Sequence, residues 1–218
     1  MAKKEVPVNH LQNYLPPGTG EVVMAYLHQH NVHLTVSRER KTILGDYRHR
    51  TNNTNHRISI NGNLNRYSFL ITLLHELGHL LTFEKYNNRV QPHGKEWKII
   101  YGQMLQAFVA KKIFPADIES ALLHSLKNPA ASSCAEAGLL RVLRNYDVKK
   151  IVSGNGTERH HCLVEEVIPG NLFQTSDGRI FEKGAKLRKR FKCKEVKTGK
   201  FYLFSPVYEV EIIQNEEL

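Results

Sequence analysis

The chain has 218 residues, of which 41% are hydrophobic, and a formal net charge of +10. This length and hydrophobic content fit one large or two small domains with a folded core. Three cysteines without a C-x-x-C pair argue against a disulfide scaffold and indicate a reducing compartment. The first residues lack the apolar segment of a signal peptide, and no stretch reaches the roughly 18 apolar residues of a membrane span. We therefore expect a soluble, cytoplasmic protein without a membrane partner.

In chain order, residues 1–20 end in a Pro- and Gly-rich stretch and are predicted to form a loosely attached N-terminal arm. Hydrophobic periodicity then predicts a helix over residues 21–30, a hairpin of strands at 32–37 and 42–47, and a further strand at 57–60. Helices are predicted over residues 66–83, 94–113 and 116–126, and residues 135–145 are a candidate for another.

The motif His75-Glu76-x-x-His79 lies within the predicted helix at residues 66–83. Positions i and i+4 of a helix share one face, so the two imidazoles can bind one Zn²⁺. Glu76 follows the first histidine and can reach a water on the metal. This layout is typical of zinc peptidases, in which one helical turn supplies two ligands and a general base.

A catalytic zinc takes three protein ligands and keeps one position open. Thr82 and Lys85 occupy the positions where a metzincin has Gly and His, which excludes that class. Three candidates for the third ligand remain open from the residues alone: Glu84, Glu96 and His93. His93 lies between Pro92 and Gly94, which places it at a helix start after a loop.

His75-Glu76-x-x-His79 followed by His93-Gly94-x-x-Trp97 resembles the SprT-like (Spartan-related) zinc metalloprotease family. The upstream segments at residues 44–48 and 58–61 are similar to the short strands that precede the active-site helix in that family. The resemblance covers roughly residues 20–115 and implies a metalloprotease domain at 21–146. It also implies one Zn²⁺ per chain with the ligands His75, His79 and His93, and Glu76 as the catalytic base.

From about residue 147 the pattern changes to short strands, which predicts a small basic β domain at residues 147–218. Strands are predicted at 162–168, 178–181, 187–196, 201–204 and 208–213. Family members often carry a C-terminal zinc ribbon, and the region around Cys162 and Cys193 is similar to one. The second cysteine of each pair is replaced by Glu165 or Val196, so this region is a degenerate, cysteine-poor ribbon that lacks a four-cysteine site.

Fifteen Lys and Arg residues against seven Asp and Glu residues lie between Arg141 and Lys200. This excess of positive charge favours a polyanionic partner. Alternation along the predicted strand at 187–196 places four cations on one face, and two more precede them: Arg188, Arg190, Lys192 and Lys194, then Arg179 and Lys186. Interleaved aromatic residues, including Phe201 and Tyr202, favour DNA with single-stranded character. The alternative is a solvated edge strand that its charges protect from aggregation.

The sequence thus predicts an α+β protein: a helical zincin-type metalloprotease domain with a small β-sheet, then a small basic all-β domain. The predicted function is a zinc metalloendopeptidase that acts on DNA-associated or DNA-crosslinked proteins, and that is nucleoid-associated if it binds DNA. Two alternatives remain open. One is an ImmA-like H-E-x-x-H protease that cleaves a regulatory protein, and the other is a non-catalytic, zinc-containing DNA-binding module.

Overall fold

The computed structural model describes residues 8–40, 43–126, 136–147 and 161–213. The chain divides into two compact units, Met1–Val148 and Lys149–Leu218. The first unit combines helices with a small sheet, and the second is built from strands, in agreement with the predicted α+β class. Within the described residues, no helix is both long and apolar enough to cross a membrane. Cys134 lies outside the described residues.

The sheet of the first unit has three strands, β1 (Val32–Ser37), β2 (Gly45–Arg48) and β3 (His56–Asn61). The spatial order is β1-β3-β2, with β3 parallel to β1 and antiparallel to β2. The predicted hairpin between the first two strands is therefore wrong. The reason lies in the apolar character of β3, whose Ile58 and Ile60 are fully buried and take the central position. β2 is left as an edge strand.

The helices are α1 (Gly20–Gln29), α2 (Arg66–Tyr86), α3 (Lys95–Ala110), α4 (Ala116–Ser125) and α5 (Ala137–Arg144). Asn65 caps α2, because its side-chain oxygen accepts hydrogen bonds from the backbone N–H groups of Tyr67 and Ser68. α2 is buried on most of its surface, and it runs through the centre of the first unit. Its apolar residues form the core together with Ile58, Ile60 and the inner face of α3.

The predicted N-terminal arm is wrong for the segment that the structure describes. Val8–Tyr14 form a 3-10 helix, and Leu11 and Leu15 are buried in the core of the first unit. The ring of Tyr14 stacks on Phe69 of α2 with ring centroids 5.4 Å apart. The described part of the N-terminal segment is therefore packed into the first unit through these side chains.

The second unit contains β4 (His161–Leu163), β5 (Leu172–Gln174), β6 (Ile180–Glu182), β7 (Lys186–Leu187), β8 (Arg190–Glu195), β9 (Phe201–Phe204) and β10 (Glu209–Ile212). The strand order is β4-β10-β5-β6-β8-β7, and β9 also pairs with β8. Its core is a separate apolar cluster that includes Phe173, Phe181, Phe191 and Val210. The predicted strand at 162–168 ends at Leu163, and β5 is missing from the prediction.

A buried lysine lies in this second core. Lys183 is 3% exposed, and its Nζ donates hydrogen bonds to the carbonyl oxygens of Glu165, at 2.9 Å, and of Val167. The ammonium group also lies 4.3 Å from the centroid of the Phe191 ring. Burial lowers the pKa of Lys183. Two carbonyl oxygens and the face of one aromatic ring thus satisfy this buried cation inside the second core.

Candidate metal centre

Three histidine side chains converge at the middle of α2. Nε2 of His93 lies 3.1 Å from Nε2 of His75 and 2.9 Å from Nε2 of His79. His75 is buried and the other two are half-buried. Among the described residues, these three form the one group of His, Cys, Asp or Glu side chains whose ligand atoms lie close enough to hold a metal ion. His75 and His79 come from successive turns of α2, whereas His93 comes from the loop before α3.

The position of His93 depends on how the chain leaves α2 and enters α3. α2 ends at Tyr86; Asn87, which follows it, has φ +54°, and His93 has φ +58°. A non-glycine residue in this left-handed region is uncommon, although Asn and His occur there more often than most residues. Gly94 then takes an extended conformation as the residue that caps α3. The two left-handed residues reverse the chain, so that α3 lies against α2.

Gly78 lies at a close contact between α2 and α3, next to the metal centre. A Cβ atom on Gly78 would lie 3.2 Å from Nε1 of Trp97 and 3.2 Å from Cβ of Tyr101. This observation explains a glycine between the two metal-motif histidines, a position where glycine weakens a helix by about 1 kcal/mol relative to alanine. The close packing of the helices brings the start of α3, and with it His93, over the two histidines of α2.

The indole of Trp97 forms one wall of the centre. It is fully buried, and its ring centroid lies 4.7 Å from that of His75, 5.2 Å from that of His79 and 4.7 Å from that of His93. Tyr101 stacks on Trp97, is also buried, and has its ring centroid 5.6 Å from that of His75. These contacts fix the orientation of the three imidazoles by packing.

The environment favours the neutral form of all three histidines. Burial, followed by the proximity of His79 and His93, lowers the pKa of His75 to about 3. Burial and the proximity of His93 lower the pKa of His79 to about 4. Burial and the charge of Lys98 lower the pKa of His93. A neutral imidazole has a free lone pair and is the form that binds metals.

The arrangement fits zinc by distance and by donor type. Two nitrogens on one tetrahedral zinc, each at about 2.0–2.1 Å from the ion, are about 3.3 Å apart. The observed separations of 2.9 and 3.1 Å are close to this value. Three neutral imidazoles with one open position are a donor set found in catalytic zinc sites. The residues present therefore fit a zinc ion.

Glu76 lies beside this cluster and is 5% exposed. Burial, reinforced by the charge of Asp46 and opposed by that of Arg40, raises its pKa to about 8. A raised pKa makes the carboxylate of Glu76 a stronger proton acceptor than that of an exposed glutamate. This is the property expected of a general base that takes and returns a proton.

The two glutamates that the sequence left open as third ligands lie outside the cluster. Glu84 is held elsewhere: its Oε2 lies 2.8 Å from Nδ1 of His30, and its Oε1 lies 3.7 Å from Nε2 of His56. Glu96 does not belong to the group of possible ligand atoms that the described residues form. Of the three candidates, the structure brings only His93 to the motif histidines.

Two neighbours of the centre were not among the predicted site residues. Gly45 of β2 lies against Glu76, because a Cβ atom there would be 2.6 Å from Oε1 of Glu76. The ring of Tyr47 lies parallel to that of His79 with centroids 6.5 Å apart, and its hydroxyl lies 2.9 Å from Nδ1 of His56. Burial raises the pKa of Tyr47, so it remains a neutral phenol. The available signal was the glycine inside a strand, which often marks close approach of another group.

Residues 19–120 match the model of the SprT-like family. This part of the chain belongs to the SprT-like family. The match runs from the start of α1 into the first half of α4 and includes all three histidines and Glu76. Membership of this family indicates an activity of the metallopeptidase type. No curated protein and no solved structure matches the chain.

Outside the SprT-like domain, the predicted nucleic-acid residues fall on different surfaces of the second unit. Arg190, Lys192 and Lys194 alternate with buried residues along β8 and share its exposed face, as predicted. Arg188 does not, because the chain turns between β7 and β8 and Arg188 lies in that turn with φ +40°. The prediction that four cations share one strand face is therefore wrong for Arg188.

The two remaining cations also lie apart from this face. Lys186 pairs with the buried Phe191 across β7 and β8, and its Nζ lies 5.7 Å from the centroid of that ring. Arg179 forms an ion pair with Asp177, with Nε 2.8 Å from Oδ2. Its guanidinium lies 5.3 Å from the ring centroid of Tyr202, which is on the inner side of the sheet. Paired residues of adjacent strands share a face, so Lys186 does not extend the exposed row of β8, and Arg179 contacts the inner side of the sheet through Tyr202.

The exposed face of β8 carries apolar groups from β9 as well as cations. Phe201 pairs with Lys194, and Leu203 pairs with Lys192. Phe201 and Leu203 are 60% and 54% exposed, and Nζ of Lys192 lies 4.1 Å from the centroid of the Phe201 ring. We call the surface formed by Arg190, Lys192, Lys194, Phe201 and Leu203 the basic face.

Proposed function

We propose that this protein is a zinc-dependent metalloendopeptidase of SprT-like type that acts on DNA-associated proteins, including proteins crosslinked to DNA. The observation that carries the proposal is the convergence of three imidazoles, with the buried Glu76 directly after the first of them in the chain. A zincin-type arrangement follows from it, since His75, Glu76 and His79 come from successive turns of α2 and the third histidine comes from a separate segment.

In this proposal His75, His79 and His93 hold the zinc ion and leave one of its positions open. When bound, zinc polarises a peptide carbonyl and increases the acidity of a water molecule. The protein's own contribution is orientation. Trp97 packs against all three imidazoles, and the close contact of α3 with α2 at Gly78 keeps His93 in place.

Glu76 performs the proton transfers. Its carboxylate accepts the proton from the attacking water and then delivers it to the nitrogen of the departing amine. Burial makes Glu76 a stronger base than an exposed glutamate, because its raised pKa reflects a preference for the protonated form. β2 covers Glu76 at Gly45, which limits the positions that the carboxylate can occupy.

The partner side of the proposal rests on the basic face. Three cations with an exposed phenylalanine and leucine combine phosphate attraction with a surface on which bases can stack. A solvated edge does not need Phe201 exposed beside Lys192, since charge alone protects such a strand. We therefore assign DNA with single-stranded character to this face, with DNA-bound proteins as the substrates of the metal centre.

The partner assignment is tested by incubating the zinc-loaded protein with a basic DNA-binding protein, with and without single-stranded DNA. We expect fragments to accumulate faster with DNA, and the Glu76→Gln variant to produce none. Cleavage of the same protein at equal rates with and without DNA would reject the DNA-linked function and favour a protease of a regulatory protein. Complete absence of hydrolysis, with zinc retained, would favour a non-catalytic DNA-binding module.

The ligand set is tested by metal analysis of two matched variants. His93→Asn removes the imidazole but keeps a residue that tolerates the left-handed backbone, so loss of zinc would report the ligand. Glu96→Gln changes a residue three positions along the chain and should retain about one zinc per chain. If His93→Asn retained zinc and Glu96→Gln lost it, the third zinc ligand would be Glu96.

A further inference from the structure

A groove of about 650 Å³ adjoins the metal centre at His93. It follows one stripe of α3, with His93 and Gly94 at one end and Leu126, just beyond α4, at its side. The residues of the stripe recur at helical spacing and so form one continuous surface: Lys95, Lys98, Ile99, Gly102, Gln103 and Gln106.

The groove has the length of a short extended peptide. From Lys95 to Gln106 a helix rises about 16 Å at 1.5 Å per residue. An extended polypeptide covers this distance with about five residues at 3.3 Å each. Because His93 lies at one end, a chain in the groove would lead directly to the zinc ligands.

One of the residues that line the groove, Gly102, is a glycine that helix packing does not require. A Cβ atom on Gly102 would meet only Cδ2 of Leu126, at the ordinary contact distance of 3.8 Å. Glycine is among the least favourable residues inside a helix, and Gly78, by contrast, has the close contacts that explain it. The missing side chain at Gly102 therefore leaves space on the surface of α3 for a bound molecule.

The lining indicates the chemistry of the occupant. Lys95 is exposed, Lys98 is half-buried, and Gln103 and Gln106 offer amide groups. Ile99 is 50% exposed within the groove. Among the described residues that line it, none is acidic. The groove thus has two cations at the metal end, an apolar group next to them and amides further along. This mixed lining suits a polypeptide with an acidic side chain better than a regular phosphate backbone.

We propose that this groove binds the polypeptide substrate on one side of the scissile bond and selects an acidic residue opposite Lys95 and Lys98. The inference rests on the proposed peptidase function and adds a specificity site to it. Lys95 supplies the charge that recognises the acidic side chain, Gly102 provides the depth, and Ile99 contacts an apolar part of the same segment.

The depth is tested with Gly102→Leu, which fills the groove at a place where the structure is open. We expect kcat/KM for glutamate-containing peptides to fall at least tenfold, while the unfolding midpoint stays the same or rises. Gly138→Leu is the matched control, because nothing lies within 4 Å of a Cβ atom at that glycine of α5. Equal kinetics for Gly102→Leu and Gly138→Leu would overturn the proposal.

The charge selection is tested with Lys95→Glu against Lys111→Glu, a lysine that does not line the groove. Cleavage sites in a mixture of peptides are mapped by mass spectrometry. We expect the wild type and Lys111→Glu to cleave beside Asp or Glu, and Lys95→Glu to change this preference towards Lys or Arg. An unchanged preference in Lys95→Glu would overturn the proposal.

A measurement of peptide binding tests the groove independently of peptidase activity. Zinc-loaded Glu76→Gln protein, titrated with a fluorescent glutamate-rich peptide, should bind it more tightly than a lysine-rich peptide, and Gly102→Leu in that background should abolish the difference. This result supports the groove even if no peptide is cleaved. Loss of affinity for single-stranded DNA, but not for the peptide, on filling the groove would identify a nucleic acid as the occupant and reject the proposal.

Discussion

The Cβ atom that Gly45 lacks would lie 2.6 Å from Oε1 of Glu76. β2 is an edge strand of the three-stranded sheet, and it covers the proposed base of the metal centre at this point. Cγ2 of Thr72 would be equally close, at 2.7 Å. β2 can therefore lie against Glu76 only because Gly45 has no side chain.

Gly45→Ala should inactivate the protein without removing its metal. The added methyl group forces either β2 or the Glu76 carboxylate to move, at a cost of about 1–3 kcal/mol for overpacking. We expect kcat/KM for peptide hydrolysis to fall about a hundredfold, because the contribution of a general base is of that order or larger. Zinc content should stay at that of the wild type. Full activity of the variant would show that Glu76 does not depend on this contact.

Gly78→Ala should weaken zinc binding through the packing of the two helices. The methyl group would press on Trp97 and Tyr101 at 3.2 Å, and the displaced α3 would carry His93 away from the other histidines. Changes to groups that orient metal ligands typically cost about 10–100-fold in affinity, and we expect a loss in that range in competition with a chelator. Gly138→Ala, which adds a methyl group in open space on α5, should leave the affinity unchanged. Equal affinities for both variants would argue against the packing explanation.

The stability of the metal-free protein should depend on pH through Glu76. Burial raises its pKa from 4.5 to about 8, so the folded state binds this proton more tightly than the unfolded state. The associated stability is fully present below about pH 4.5 and is lost as the pH rises through about 8. Glu76→Gln removes this dependence, and both proteins share the opposite effect of the histidines at low pH.

Urea unfolding in the presence of a chelator measures the difference. Glu76→Gln should be more stable than the wild type at pH 9 by a few kcal/mol, since each tenfold change in proton affinity corresponds to about 1.4 kcal/mol. The gap should close towards pH 5. A wild type that is the more stable protein at pH 9 would contradict the raised pKa of Glu76 in the folded protein.

The basic face should account for the salt dependence of DNA binding. Replacing Arg190 and Lys192 with Ala should weaken binding to single-stranded DNA on all sequences and reduce the slope of log K against log[salt] by about 1.4, at about 0.7 per phosphate contact. The control is Lys186→Ala with Arg188→Ala, which removes the same charge from residues that lie off this face. Equal changes in both pairs would indicate attraction by net charge without a defined surface.

Much of the site was predictable because it depends on local periodicity. A spacing of four residues on a helix is sufficient to bring His75 and His79 together. His93 was one of three candidates, because its position depends on two left-handed residues after α2, Asn87 and His93 itself, and no local sequence pattern predicts this conformation. The contact between Gly45 and Glu76 is a tertiary relationship between a strand and a helix, and the sequence offered only a glycine within a strand.

The same distinction explains the errors in the sheets. Alternation correctly predicted that Arg190, Lys192 and Lys194 share an exposed face. The turn at Arg188 was missed because Arg188 and Lys189 lack the Gly, Asn or Asp that usually marks a tight hairpin. The pairing of β1 with β3, and not with β2, depends on which strand buries the most apolar surface in the whole unit.

The most direct test of the central claim is the rate of peptide hydrolysis by zinc-loaded Glu76→Gln compared with zinc-loaded wild type, with zinc content measured in the same samples. Glu76 is not a proposed ligand, so both proteins should contain about one zinc per chain. We predict that hydrolysis by the variant falls by a factor of about 10² to 10⁴ or becomes undetectable. Undiminished hydrolysis by the zinc-loaded variant would contradict the account of this site as a metallopeptidase centre with Glu76 as its base.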